Sequence, residues 1–171
     1  MKRLIFPILL ISSTLATGCA LAIQEPEGIV KNYFTKDLKG GRLTAESYIE
    51  VMRPLVDWKV EYAWDYAFLV KSARVYSSKM ISSDEASIEV RYHVVGLLSN
   101  HGILKLDLYE TADFHVRKTG NDWKITKPVL APHVWPTTAV RHLEAMMKDE
   151  KTYPNSKEIA RDIELIKSLD D

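Results

Sequence analysis

The chain has 171 residues, with 23 basic against 23 acidic side chains and 46% hydrophobic content. That composition fits a single globular domain and excludes a disordered tail, a collagen-like fibre and, with one cysteine, a disulfide scaffold. The balanced charge excludes the basic excess by which proteins hold nucleic acid, so no nucleic-acid partner is expected.

The amino terminus reads Met1-Lys2-Arg3, then an apolar run from Leu4 to Ile11, then small and polar residues up to Cys19. A basic start, a short apolar core and a small-residue exit are the parts of a secretory signal. The uncharged stretch from Leu4 to Ala22 approaches the length of a membrane span, but Ser12, Ser13, Thr14 and Thr17 dilute its second half. Ala16-Thr17-Gly18-Cys19 resembles the bacterial lipoprotein signal, in which small residues precede a cysteine that is lipidated and becomes the new amino terminus. A rival exit, Ala20-Leu21-Ala22, would release a soluble protein starting at Ile23. A lone cysteine in an oxidising compartment has no partner within its own chain, and lipidation of Cys19 would account for it. By that resemblance, Ala20 after the cysteine favours the outer membrane. The expected organisation is a signal over 1–18, with cleavage after Ala22 as the alternative, a short tether over 19–26, and one domain over 27–171. Several acyl chains together anchor a protein stably to a membrane. Loss of Lys2 and Arg3 with the leader leaves a net charge of about −2.

From Glu27, Ile29, Val30, Tyr33, Phe34 and Leu38 recur at helical spacing, and Gly40-Gly41 supplies a stop. Thr44 is placed to cap a second, shorter helix with Tyr48, Ile49 and Met52 on one face and Pro54 at its end. The period then changes to two. Residues 66–81 read as a strand, Ser82-Ser83-Asp84-Glu85 as a turn, and Ala86, Ile88, Val90, Tyr92 and Val94 as the apolar side of the next strand. After a turn at Ser99-Asn100-His101-Gly102 comes a long strand with Leu104, Leu106, Leu108, Ala112, Phe114 and Val116 on one side. Thr119-Gly120-Asn121-Asp122 turns into a return strand over 123–127. One sheet face is apolar and the other carries Glu89, Arg91, His93, Asp113, His115 and Arg117, the pattern of an antiparallel sheet covered on one side. Thr137 or Thr138 is expected to cap a helix running to about Lys148, and a last helix begins near Asn155 with Ile159, Ile163, Ile166 and Leu169 on one face.

Helices followed by antiparallel strands give the α+β class, a curved antiparallel sheet packed on the N-terminal helices with two additional C-terminal helices over 137–171. From Glu27 to Lys127 this order resembles the nuclear transport factor 2-like superfamily, whose fold is a cone. The phrase Gly120-Asn121-Asp122-Trp123-Lys124-Ile125 is similar to the closing strand common in that group. The two helices after residue 136 depart from it. The superfold hosts enzymes, transport factors and inert assembly domains alike, so the resemblance does not assign an activity.

The five histidines, His93, His101, His115, His133 and His142, show none of the spacings that bind zinc, and no metal or other cofactor is expected. No phosphate-binding glycine loop and no nucleophile elbow occurs. The resemblance implies one enzymatic alternative, an isomerase or cyclase with an Asp or Tyr inside the cone. The candidates are Asp57, Asp65, Asp107, Tyr62, Tyr66, Tyr92 and Tyr109, and none is assigned a catalytic role. Trp58, Tyr62, Trp64, Tyr66 and Phe68 form a dense aromatic cluster that lines either a pocket or the core, with Tyr92 nearby on the apolar strand face. The sequence thus favours a lipid-anchored, non-enzymatic binding or assembly module on the periplasmic side of the outer membrane. Its partners would be a small apolar ligand or an envelope protein, and a homodimer through the open sheet is compatible with either.

Overall fold

The computed structural model describes residues 25–58, 64–148 and 156–169. The expected α+β architecture is present: a strongly curled five-stranded sheet, a half-barrel, with helices on its N- and C-terminal sides. The strands are β1 (Tyr66–Met80), β2 (Glu85–Ser99), β3 (Gly102–Thr119), β4 (Asp122–Lys127) and β5 (His133–Val134), in the order β4-β3-β2-β1-β5. Neighbours run antiparallel except β5, which pairs parallel with β1 at Phe68 and Leu69. The helices are α1 (Pro26–Leu38), α2 (Ala45–Ser47), α3 (Pro136–Met147) and α4 (Ser156–Lys167). Cys19, the whole signal and tether region up to Gln24, and Tyr62 lie outside the described residues. Among those residues no helix is long and apolar enough to cross a membrane.

α1 ends as the glycine pair dictates. The Gly40 amide donates to the Asp37 carbonyl and the Gly41 amide to that of Lys36, with Gly40 at φ +92°, a left-handed cap that glycine adopts without strain. Thr44 caps α2 as expected, its hydroxyl accepting from the Ser47 amide at 3.1 Å. The chain then continues as a π-helical turn, Tyr48–Met52, and a 3-10 turn, Arg53–Leu55, containing Pro54. This winding buries Tyr48 and Met52 but leaves Ile49 56% exposed, against the expectation that it lies inward.

The sheet has two apolar faces rather than one. Its inner face packs Val70, Ile88, Val90, Tyr92, Val94, Phe114 and Ile125 against Ile29, Val30, Tyr33 and Leu38 of α1. Side chains alternate across a strand, so Ala67 and Leu69 point the other way. There, with Val95, they meet Ala139 and Leu143 of α3 and Ile163 and Ile166 of α4. The outer face expected to be charged is charged only beyond the reach of these helices. Neither threonine caps α3: Pro136 starts it, Trp135 holds the cap position without a side-chain bond, and Thr138 is buried in its first turn.

Curling requires the strands to advance unequally. Opposite the single step from Leu69 to Val70, β2 takes two steps from Gly96 to Val94 and β3 takes three from Lys105 to Leu108. The bulge leaves Leu104, Leu106 and Leu108 on the inner face as the alternation predicts, but past the end of α1. Leu106 is partly buried against the inner core, while Leu104 is 59% and Leu108 41% exposed.

Candidate functional site

The inside of the curl holds a polar group set among aromatic rings. Tyr33 and Asp37 lie one helical turn apart on α1 and therefore share its buried face. The glycine turn reverses the chain and brings Arg42 back against them. A Cβ on Gly41 would stand 2.8 Å from Met52 Sδ and 2.9 Å from the Lys36 carbonyl oxygen, so this close return needs glycine. The Arg42 side chain is fully buried. Its Nη1 donates to the Tyr33 hydroxyl at 3.0 Å and stands 3.9 Å from Asp37 Oδ2. Its guanidinium lies 5.4 Å from the centroid of the Trp58 ring.

Asp37 also reaches the far end of the chain. Its Oδ2 accepts from the backbone amide of His133 at 3.1 Å, and the Trp135 amide donates to the Leu38 carbonyl at 3.0 Å. These bonds fasten the C-terminal end of α1 to β5. A buried charge is costly unless paired and hydrogen-bonded; Asp37 and Arg42 form an ion pair, and each is hydrogen-bonded elsewhere, Asp37 to the His133 amide and Arg42 to the Tyr33 hydroxyl.

The His133 ring sits between Tyr92 and Phe68, at centroid distances of 4.5 and 5.2 Å. Its Nδ1 is 2.8 Å from the Ala131 carbonyl, which can only accept, so Nδ1 carries the proton. In the neutral ring Nε2 is then a lone-pair nitrogen. It is buried without a hydrogen-bond partner, 3.9 Å from Glu110 Oε2. Glu110 lies directly across from Tyr92 in the β2–β3 register and is 34% exposed, which places it between the buried ring and the open end of the curl. The Tyr92 phenol is pushed well above its ordinary value, first by burial and then by the negative charges of its neighbours, against the pull of Arg42. It stays a neutral donor.

Around that open end the inner face is apolar. Phe68, Leu97 and Leu104 form one row across three strands, and Val70, Val94 and Leu108 the next. A chain of edge-on rings leads in from the rim: Trp64 to Tyr66 at 5.8 Å and Tyr66 to Phe68 at 5.7 Å. Tyr66 itself is 38% exposed.

Several sequence candidates stand apart. Asp107 and Tyr109 belong to the outer face, where His93 donates to Asp107 at 2.7 Å and stacks on Tyr109 at 4.7 Å. They do not reach the interior. Asp57 and Asp65 are exposed. Of the aromatic cluster, Trp58 packs on the inner core edge-on to Tyr33, and Tyr92 is buried within it. The residues at the centre of the site, Asp37, Arg42, Glu110 and His133, were not singled out by the sequence. The available signals were an acid one turn after Tyr33 on the apolar stripe of α1 and a histidine inside the segment Pro132-His133-Val134-Trp135-Pro136. Among the described residues no group of three or more His, Cys, Asp or Glu is placed to hold a metal ion.

No family model matches the chain, and no curated protein matches it. Among solved structures it is similar to the intermembrane space region of the chloroplast protein ARC6, at 17% identity and a TM-score of 0.42 over 61% of this chain and 93% of that one. It is also similar to a protein from Campylobacter jejuni described as a putative NTF2-like transpeptidase, at 15% identity and a TM-score of 0.30 over 61% of this chain and all of that one.

Proposed function

We propose that this protein is a non-enzymatic binding module of the cell envelope, of the nuclear transport factor 2-like superfamily, tethered through a lipidated Cys19. Its ligand is small and apolar and enters the open end of the curled sheet. The observation that carries this reading is the exposure of Leu104 and Leu108 on the inner face, beside Tyr66 and Leu97 and next to the part of that face that α1 covers. Large exposed apolar groups gathered in a concavity are a common mark of a binding site. The buried charges support a binding role: Asp37 and Arg42 hold the wall together rather than facing the opening.

One specific observation favours the enzymatic alternative. The lone pair of His133 Nε2, fixed by its Nδ1 bond and beside Glu110, is the arrangement a general base would use. In that reading His133 takes a proton from a bound substrate and Glu110 stabilises the imidazolium.

The test is titration of the mature protein with N-phenyl-1-naphthylamine, an uncharged fluorescent apolar probe. The binding reading expects saturable binding that is lost in Leu104→Asp and kept in His133→Gln. Mass spectrometry of the mature amino terminus tests the tether: a diacylated or triacylated Cys19 supports it, and an unmodified Ile23 removes it.

A further inference from the structure

We propose that the free edge of β1 accepts an extended strand from a protein partner, one in which carboxylates alternate with apolar residues. β5 covers β1 only at Phe68 and Leu69. From Ser72 to Met80 the strand pairs with β2 on one side, and no backbone bond closes its other side among the described residues. Such an edge is a template for an added strand; the Lys and Arg side chains and the bulges on this one oppose a like-charged strand and leave one of opposite charge as the fitting occupant.

The charge on this edge selects the partner. The segment Tyr66–Met80 contains Lys71, Arg74 and Lys79 and no acidic residue. Arg74 lies directly opposite Arg91 on the outer face, a like-charge pair that costs stability when left alone. Glu89 stands 3.3 Å from Arg91, whose guanidinium lies 3.1 Å from the Tyr76 ring centroid, whereas Arg74 and Lys79 have no ion-pair partner among the described residues. The other acids of the outer face do not reach the β1 edge: Glu85 pairs with Arg117, and Asp107 and Asp113 lie on β3, one strand removed from β1, against His93 and against Ser87 and His115. Arg74 and Lys79 therefore leave positive charge along the β1 edge, on a face that also carries Lys124 and Lys127 of β4.

A second copy pairing edge to edge would set Arg74 and Lys79 against cations of the same strand, so the occupant carries the opposite sign. Bulges at Lys71 and Tyr76 divide the edge into two regular stretches, Ser72–Val75 and Ser77–Met80. Along each, residues two apart share a face. Arg74 and Lys79 meet carboxylates on the outer side, while Val75 and the exposed Met80 meet apolar residues on the inner side.

The test uses the mature protein and a fluorescein-labelled octapeptide of alternating Glu and Val, read by anisotropy. Saturable binding is expected, weakened at least tenfold by Arg74→Glu and by raised salt, with no binding of the Lys–Val counterpart. A version of the peptide methylated on alternate backbone nitrogens keeps its charges but cannot donate to the edge, and it is expected not to bind. Equal binding of the methylated peptide, unchanged binding to the Arg74→Glu protein, or no binding of the Glu–Val peptide would each overturn the proposal. A dimer in sedimentation that Arg74→Glu tightens would assign the edge to a second copy and overturn it as well.

Discussion

Asp37 and His133 are 96 residues apart in the chain and joined by one buried hydrogen bond, from the His133 amide to Asp37 Oδ2 at 3.1 Å. Through that bond a carboxylate on the first helix sets the position of the last strand. It also sets the imidazole that Tyr92 and Phe68 sandwich.

Removing the carboxylate leaves the Arg42 cation and the His133 amide buried with a lost acceptor. Asp37→Ala is therefore expected to cost about 3–5 kcal/mol in urea unfolding, the range for breaking a buried pair from one side. Asp37→Asn keeps an acceptor for the amide and is expected to cost less. Equal stability of Asp37→Ala and the wild type would show that this junction does not hold α1 to β5.

The glycine return makes a second, independent demand. Gly41→Ala puts a methyl group 2.8 Å from Met52 Sδ and 2.9 Å from a backbone oxygen that cannot move aside. Overpacking of this kind costs about 1–3 kcal/mol. Gly120→Ala serves as the comparison, since its Cβ meets nothing within 4 Å and only its φ of +64° opposes the change. Urea midpoints of the two variants are expected to fall in that order, with Gly41→Ala the lower.

The outer core makes the C-terminal helices integral to the domain. Ile166 is fully buried between α4 and the sheet, so Ile166→Ala is expected to cost about 2–5 kcal/mol. Unfolding is expected to remain one transition followed equally by tryptophan fluorescence and far-ultraviolet circular dichroism. Separate loss of helix signal before the tryptophan change would show α3 and α4 to be an appendage.

Two groups shifted by burial contribute to the pH dependence of stability. Burial lowers the His142 imidazole below 6.5 in the folded state, so below that pH the unfolded chain binds more protons and stability falls on acidification. Burial raises the Tyr92 phenol above 10.0, so above that pH the unfolded chain ionises first and stability falls on the alkaline side. Thermal midpoints measured across pH are expected to show both flanks. His142→Gln is expected to flatten the acid one, and Tyr92→Phe the alkaline one.

Arg74 offers a surface test of the register. If it opposes Arg91, reversing its charge replaces a repulsion by an attraction, and Arg74→Glu is expected to raise stability by about 0.2–1 kcal/mol. The gain should shrink in high salt.

The fold was legible because its signals are local. The apolar spacing of Ile29, Val30 and Tyr33, the Gly40-Gly41 stop and the alternation from Ala86 to Val94 each act within a few residues. The site was not, because it is made of Asp37, Arg42, Glu110 and His133, whose meeting depends on the curl of the sheet and the length of α1. Residues 66–81 read as a strand, yet nothing within that strand says that α3 and α4 return to cover Ala67 and Leu69. Leu104 and Leu108 were placed on the correct face by alternation, but alternation carries no information about where the covering helix ends.

Amide chemical-shift mapping with a medium-chain fatty alcohol tests the binding claim most directly. Perturbations concentrated at Tyr66, Leu97, Leu104, Leu106, Leu108 and Glu110, with 1:1 saturation, are the expected result. Shifts confined to the outer face around Arg74, Tyr76 and Tyr109, or no saturable shifts at all, would contradict it.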